Sequence, residues 1–340
     1  MSGTSLDGMD FVAVEFSYKN KWYFEIIDAK TISYSTEWFK KLKHSPKLSK
    51  KELENLHDEY GFFIGEKTND FINSIHFSPD LVCSHGHTVF HQPEQGFTFQ
   101  IGNGENIAKT TGIKTVSDFR TQDVALGGQG APLVPVGDKL LFSEYDYCLN
   151  LGGFSNISFE IENRRIAFDI CPVNIIINHF AEKQGFSFDK NGKLGRKGKI
   201  NSELLTELNK IEFYSQKTPK SLGREWLEKS FFPVLDHFGI DERDKLRTIY
   251  EHISHQISKV LKENSNVLVT GGGAFNQFLI ELLKKYSKAE VVLPPDEIIN
   301  FKEALIFAFL GILKIQGKNN CLSSVTGAKY DHSSGIISTP

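Results

Sequence analysis

Cysteine is scarce in this chain of 340 residues. Cys83, Cys148, Cys171 and Cys321 are scattered, with no Cys-x-x-Cys pair, and that spacing argues against a zinc site or a redox motif. Three of them sit in or beside apolar runs, as buried free thiols do, which fits a reducing compartment. No basic, apolar leader ending in small residues opens the chain, so no secretory signal is expected and the cytoplasm is the expected location. The longest apolar stretch lies within Glu303–Ile315, too short to span a bilayer. Neither sign of charge dominates. A net charge of −3 argues against a nucleic acid or an anionic membrane as the main partner. No G-x-x-x-x-G-K-[ST] occurs, so the Walker phosphate loop is excluded, and no glycine cluster fits the dinucleotide fingerprint G-x-G-x-x-G.

What is present is a globular composition. Charged residues make up 24% and the 28 phenylalanines read as core filling. The length allows one large or two ordinary domains. Alternation predicts strands at Phe11–Phe16 and Trp22–Ile27, joined by a polar turn at Lys19–Lys21, with a third strand near Thr31–Tyr34. Ser49 and Glu52 form a capping-box pattern opening a helix with Leu53, Leu56, Tyr60, Phe63 and Ile64 on one face. Short strands are expected at Leu81–Ser84 and at Val116. Gly127-Gly128-Gln129-Gly130-Ala131-Pro132 is the natural hinge. Beyond it Tyr147–Leu151, Ile157–Ile161 and Arg165–Phe168 read as strands, in a pattern resembling the N-terminal one, which suggests an internal duplication. Helices are expected at Asn174–Lys183, Ser202–Leu208, Arg247–Leu261, Gln277–Tyr286 and Lys302–Ile315, and strands at Asn266–Thr270 and Ala289–Leu293. Meanders opening each half and later strand–helix alternation make an α/β fold with mixed sheets.

Three glycine turns adjoin strands. The first ten residues hold Gly3, Thr4, Ser5, Leu6, Asp7, Gly8, Met9 and Asp10. The second turn holds Gly152, Gly153, Ser155 and Asn156, and the third Gly271, Gly272, Gly273 and Asn276. A glycine- and hydroxyl-rich turn beside a strand can aim backbone N–H groups at phosphate, and Asp7 and Asp10 can hold a hydrated magnesium ion beside it. Three such turns suggest a nucleotide clamped between two similar lobes, with the third passing under the nucleoside. Ordinary turns of an α/β protein are the alternative.

Met1–Asp10 resembles the opening motif of the anhydro-N-acetylmuramic acid kinases, a family of the actin-like, hexokinase-like ATPase superfamily. The resemblance extends through His85-Gly86-His87-Thr88, Ser117–Arg120, Gly127–Pro135, Leu149–Ser158, Phe168-Asp169, Pro219–Glu225, Gly271–Asn276, Glu303-Ala304 and Ser324–Ala328. It implies a two-lobed actin-like (ribonuclease H-like, duplicated) ATPase with an interlobe cleft. The N-terminal lobe would span 1–125, with the tail 326–340 packing back on it, and the C-terminal lobe 126–325. It implies ATP with Mg²⁺, the anhydro sugar as small-molecule substrate, and a homodimer. The implied reaction phosphorylates the 6-oxygen of 1,6-anhydro-N-acetylmuramic acid while water opens the anhydro bridge. The bridging oxygen has no proton to lose, so it attacks phosphorus only as its bond to C1 weakens. Water must reach C1 from the opposite face, activated by a carboxylate base.

The resemblance makes Asp169 that base and Glu303 a second cleft carboxylate. Asp169 could instead cap the helix near Asn174, and Glu303 could serve a helix dipole. Arg120 is a candidate for the lactyl carboxylate of the sugar, with an ion pair to Asp118 or Asp123 as the alternative. His85, Arg120 and Asp123 form the expected substrate set, and His87 lines the cleft. Asp7 is the expected magnesium contact, through water, and Thr4 and Ser5 the phosphate donors. Lys220 and Arg224 read as a solvated basic turn. The sequence departs from the family in three places: it starts at the motif that a short strand usually precedes, Ile170-Cys171-Pro172-Val173-Asn174 replaces the common Thr-Gly-Pro-Gly-Asn, and His87 replaces a glutamine. The rival readings are another sugar or acetate-type kinase, an actin-like nucleotide switch, and a non-catalytic relative.

Overall fold

The computed structural model describes every residue except Thr4, Ser5 and Asp7. The chain divides into two compact units, Met1–Leu141 with Phe301–Pro340, and Phe142–Asn300. These boundaries differ from those expected at 125/126 and 325/326. Gly137 packs against Ile306 so closely that an added Cβ would lie 2.6 Å from its side chain, and Asp138 pairs with Lys302 at 2.8 Å, both buried. Those contacts hold residues 126–141 and most of the last long helix in the first unit.

The first unit opens with β1 (Met9–Tyr18) and β2 (Trp22–Ile32), an antiparallel pair with a bulge at Ala13/Val14. The third strand expected near Thr31–Tyr34 is the end of β2. After α1 (Thr36–His44), Ser49 and Glu52 form both halves of the capping box of α2 (Lys50–Ser74), whose Leu53, Leu56, Tyr60 and Ile64 are buried. Next come β3 (Val82–Cys83), then β4 (His87–Gln92) paired with β5 (Phe97–Ile101), α3 (Gly104–Thr111), β6 (Thr115–Ser117), α4 (Thr121–Ala125) and α5 (Pro135–Leu141).

In the second unit β7 (Tyr147–Leu151), β8 (Phe154–Ile161) and β9 (Arg164–Pro172) form an antiparallel meander. Helices α6 (Asn174–Glu182), α7 (Ser202–Asn209), α8 (Arg224–Trp226), α9 (Phe232–His237) and α10 (Glu242–Ser258) follow, then β10 (Asn266–Thr270), α11 (Gln277–Tyr286) and β11 (Glu290–Val292). Helix α10 begins five residues before its expected start because Asp241 caps it. The sheet order is β11-β10-β7-β8-β9, with β10 parallel to both neighbours. Its core gathers Leu149, Leu151, Ile157, Ile176, Phe180, Ile253, Val267 and Val269, all at most 1% exposed.

Helix α12 (Asp296–Ile315) runs from the second unit back into the first. After α13 (Ser323–Thr326), β12 (Ile336–Ser338) pairs antiparallel with β6, which is parallel to β3. The first unit's strands therefore form three small sheets, β1-β2, β4-β5 and β3-β6-β12. A cavity of about 500 Å³ lies between the first and the last of these, lined by Asp10–Phe16 of β1, Leu81–Ser84 around β3, and Phe307 and Ile312 of α12. Ser2 bridges antiparallel to Met9 beside β1 and parallel to His87 of β4. No helix among the described residues is long and apolar enough to cross a membrane.

Candidate active site

In the second unit the meander positions Asp169. Strand β9 opposes Asn156 with Asp169 and Ser155 with Cys171, so Ile170 is an extra residue. Such a bulge breaks the in–out alternation and re-aims a side chain. Asp169 is only partly buried, while Ile170 and Cys171 turn into the core. Its Oδ2 accepts from the Leu222 amide at 2.8 Å, and its own amide donates to the Lys220 carbonyl at 3.0 Å. Burial raises the carboxyl above its ordinary range, with the Leu222 amide opposing. The helix-cap alternative is removed: Val173 occupies the cap position of α6, with no side-chain cap bond.

The two glycine turns of this unit meet. Gly271, at φ +81°, sits where an added Cβ would strike Asn150 Oδ1 at 2.4 Å, and Gly273 packs against Leu151. Asn174 Nδ2 donates to the Leu151 and Gly152 carbonyls at 2.9 and 2.8 Å, tying the first turn to α6. Beside Gly153 and Gly272 the nearest atoms to an added Cβ are 3.9 and 3.8 Å away, so both faces admit a close neighbour. Two members of the expected set are engaged elsewhere. Ser155 is 0% exposed, its hydroxyl donating to the Cys171 carbonyl and accepting from the Cys171 amide. Asn276 is the N-cap of α11, and its Nδ2 donates to Tyr250 Oη at 2.7 Å. Lys220 turns to the Phe213 carbonyl and ring, and Arg224 is exposed beside Glu228.

In the first unit the N-terminal motif is anchored by groups that sequence reading missed. The Ser2 hydroxyl lies 2.6 Å from Tyr34 Oη and 3.0 Å from His87 Nδ1, and Tyr34 Oη lies 2.6 Å from Tyr60 Oη. Burial brings His87 down to about 4, so it is neutral. The Met1 ammonium donates to the Asp10 carbonyl at 2.8 Å, and burial lowers its pKa. Gly8 passes the Ile32 carbonyl where an added Cβ would come within 2.5 Å. Gly3 is exposed, Leu6 takes φ +61° and Met9 is buried. Asp10 Oδ1 accepts from the Thr31 hydroxyl at 2.6 Å. The expectations for Thr4, Ser5 and Asp7 lie outside the described residues.

Arg120, Glu303 and His85 form the second half of this group. Arg120 Nε donates to His85 Nε2 at 2.8 Å and Nη1 to the Gly130 carbonyl at 2.6 Å. His85 Nδ1, 3.0 Å from the Gly86 carbonyl, then carries the ring proton. Burial first, and the guanidinium second, hold His85 well below its ordinary pKa. Phe307 supports both side chains: the guanidinium carbon is 5.8 Å from its ring and the His85 ring packs edge-on at 4.8 Å. One helical turn before it on α12 is Glu303, which is exposed; desolvation by the surrounding protein still raises its carboxyl, with Arg120 opposing and Asp10 adding to the rise. Helix α12 begins at Asp296, so Glu303 lies two turns in and the first-turn dipole alternative falls. The ion-pair alternative for Arg120 falls too, since it makes none with Asp118 or Asp123 among the described residues. Asp123 is 0% exposed, its Oδ2 accepting from the Gly130 amide and Oδ1 from the Thr326 hydroxyl, both at 2.7 Å. It organises the Gly127–Gly130 loop whose carbonyl orients Arg120.

A family model described as anhydro-N-acetylmuramic acid kinase matches residues 1–340. The chain belongs to the anhydro-N-acetylmuramic acid kinase family. It is 35% identical to the anhydro-N-acetylmuramic acid kinase of Mannheimia succiniciproducens, covering 99% of this chain and 97% of that one. It is 34% identical to that of Caldanaerobacter subterraneus, covering 99% and 95%. A looser likeness, at 13% identity and a TM-score of 0.42 over 86% of this chain and 95% of the other, links it to component A of the Acidaminococcus fermentans (R)-2-hydroxyglutaryl-CoA dehydratase. As a member of this kinase family the chain is an enzyme, a phosphotransferase that uses ATP. His85, Arg120, Asp169 and Glu303 were visible in the motifs that the kinase family shares. Tyr34, Tyr60 and Phe307 were not, since an aromatic in a strand or helix carries no local sign of its partner. The Leu222 amide has no side-chain signature at all.

Proposed function

We propose that this chain transfers the γ-phosphoryl group of ATP to the 6-oxygen of 1,6-anhydro-N-acetylmuramic acid while water opens the anhydro bridge, giving N-acetylmuramic acid 6-phosphate. The observation that carries the reading beyond family membership is Asp169: a bulge aims it, one amide fixes it, and burial makes it more basic than an ordinary aspartate. A carboxylate made more basic than usual suits the removal of a proton from water. In this reading Asp169 takes a proton from the water attacking C1, the C1–O bond breaks, and the released oxygen takes the phosphoryl group without passing through a free hydroxyl. Arg120 binds the lactyl carboxylate: two of its donors are fixed by His85 and Gly130, and Nη2 has no partner among the described residues. Glu303 orients the sugar or the water.

The open faces at Gly153 and Gly272 suit the nucleotide. Asp10 and Glu303 suit a hydrated magnesium ion: desolvation chiefly, and Asp10 beside it, raise the Glu303 carboxyl, and a divalent cation would relieve that repulsion. Magnesium, when bound, neutralises phosphate charge. The fold assignment we favour is the two-lobed actin-like ATPase. Four free cysteines fit the cytoplasm, where ATP is supplied, and we take the active form to be a homodimer.

A coupled ATPase assay with the anhydro sugar, with product mass recorded, tests this. The expected product is heavier than the sugar by one phosphoryl group and one water, and its formation is lost in Asp169→Asn. ATP turnover that ignores the anhydro sugar but phosphorylates an open sugar would overturn the reading in favour of another kinase.

A further inference from the structure

The hinge side of the first unit holds a second constellation that the kinase reading does not use. Asp123 on α4, Cys321 before α13 and His332 before β12 are 0, 1 and 4% exposed. One ligand atom from each lies within 4.8 Å of the others. The scaffold under them is fixed. Cys321 and His332 face one another in an antiparallel bridge, the Cys321 amide donating to the His332 carbonyl at 3.0 Å and the His332 amide to the Cys321 carbonyl at 3.3 Å. Asp123 is oriented by the Gly130 amide and the Thr326 hydroxyl.

The second observation is an unpartnered nitrogen. His332 Nδ1 lies 3.1 Å from the Tyr330 carbonyl, so it carries the proton of the neutral ring and leaves Nε2 with a lone pair. That Nε2 is buried, has no hydrogen-bond partner among the described residues, and points at Asp123 Oδ1 from 3.5 Å. A lone pair facing a carboxylate in a dry interior is repulsive unless something positive lies between them.

We infer that Asp123, Cys321 and His332 form a binding site for a single zinc-class divalent cation, with a fourth position for water. One oxygen, one imidazole nitrogen and one sulfur suit a borderline-soft ion and not magnesium or calcium, which take oxygen alone. The charges balance: the thiol loses its proton to solvent on binding, and carboxylate plus thiolate neutralise the ion. The Nδ1–carbonyl bond is the outer-shell contact that fixes the tautomer of a metal-bound histidine. Without an ion, burial first and Asp123 second push the Cys321 thiol up to about 12, with Arg120 opposing, so the thiolate forms only together with the metal. The ion joins α4 to the C-terminal segment, so its effect is to fasten the tail to the loop behind Arg120.

The test uses the full chain after dialysis against a chelator. Titration with Zn²⁺ against a chromophoric chelator is expected to give one equivalent bound, and Zn²⁺ is expected to raise the melting temperature. Co²⁺ is expected to give an intense tetrahedral spectrum with a thiolate-to-cobalt charge-transfer band. Cys321→Ser removes that band, and His332→Gln weakens binding by at least about tenfold. The His332 variant keeps the thiol, so it decides the matter should the cysteine variant fail to fold. Absence of stoichiometric binding, or a cobalt spectrum unchanged by either variant, would overturn the site.

Discussion

In the second unit β7 lies between β8 and β10, its hydrogen-bonding groups taken up on both sides. In the first, β1 and β3 look at one another across a cavity of about 500 Å³. One unit is thus built on a continuous sheet, and in the other small strand pairs flank an open space. Unpaired ladder edges leave backbone donors and acceptors without partners, and short strand pairs are marginal on their own. The difference separates two ways of holding a functional group. Asp169 rides on a continuous five-stranded sheet and is aimed by a defect in it, the bulge at Ile170. Arg120 and His85 follow the short strands β6 and β3 and are held by the Phe307 ring and by the Gly130 carbonyl of the Asp123-centred loop.

The sharpest test of this contrast is Asp169→Asn. The amide oxygen still accepts from Leu222, so the sheet is undisturbed, and kcat is expected to fall about 10²–10⁴-fold in the product assay. The sign of the stability change is opposite to that of activity. The folded chain binds the Asp169 proton more tightly than the unfolded chain does, whose value is near 3.8. The ionised carboxylate therefore costs stability above the folded-state pKa, and the cost vanishes as pH falls below the unfolded one. At neutral pH the variant should melt no lower than the parent. In the parent the acid limb of kcat should lie above that of an ordinary aspartate.

In the first unit the matching test is Arg120→Lys. Lysine keeps the charge but loses the fork that reaches His85 and Gly130 together, so KM for the acidic sugar is expected to rise about tenfold or more while KM for ATP holds. An unchanged sugar KM would remove Arg120 from the substrate set. The open space itself can be probed by addition. Placing Asn-Val-Leu-Val-Thr, the sequence of β10, ahead of Met1 is expected to raise the melting temperature by a few degrees, and a Gly-Ser extension of equal length to leave it unchanged. Equal curves for the two extensions would mean that the gap is not strand-shaped. The smallest effect separates structure from binding. Ser155→Ala strands the Cys171 amide inside the complete sheet, at about 1–3 kcal/mol, and should lower the melting temperature without moving KM for ATP.

Much of this was legible in the sequence, and the misses have definite causes. The capping box at Ser49–Glu52 and the strands flanking Gly152–Gly153 and preceding Gly271 are local patterns, read from propensity and spacing alone. Strand β4 at His87–Gln92 is not legible in the sequence, because its histidines hide the alternation that pairs it with β5. Helix α12 was begun six residues late because Pro294-Pro295 and the acidic turn after them read as a break, when proline just ahead of a helix is compatible with its start. At the site, Asp169 was found by its motif but its bulge was not, since a bulge depends on how two strands register. The Asp123–Cys321–His332 cluster was not legible, since spacing cannot show that an antiparallel bridge sets Cys321 opposite His332 or that α4 brings Asp123 to them.

Burial of imidazole rings has a consequence for the charge of the whole molecule. His57, His85, His87, His91, His179 and His252, six of eleven histidines, are all driven below their ordinary pKa chiefly by desolvation. The value of 6.4 for the isoelectric point counts them as ordinary titrating bases. Folded, they carry less positive charge in that range than free imidazoles do, while Asp169 and Glu303 shift the balance the other way. The native protein should therefore focus below 6.4 on a pH gradient and move up to it in urea. It carries its negative charge into mildly acidic conditions, where the unfolded chain would already be neutral.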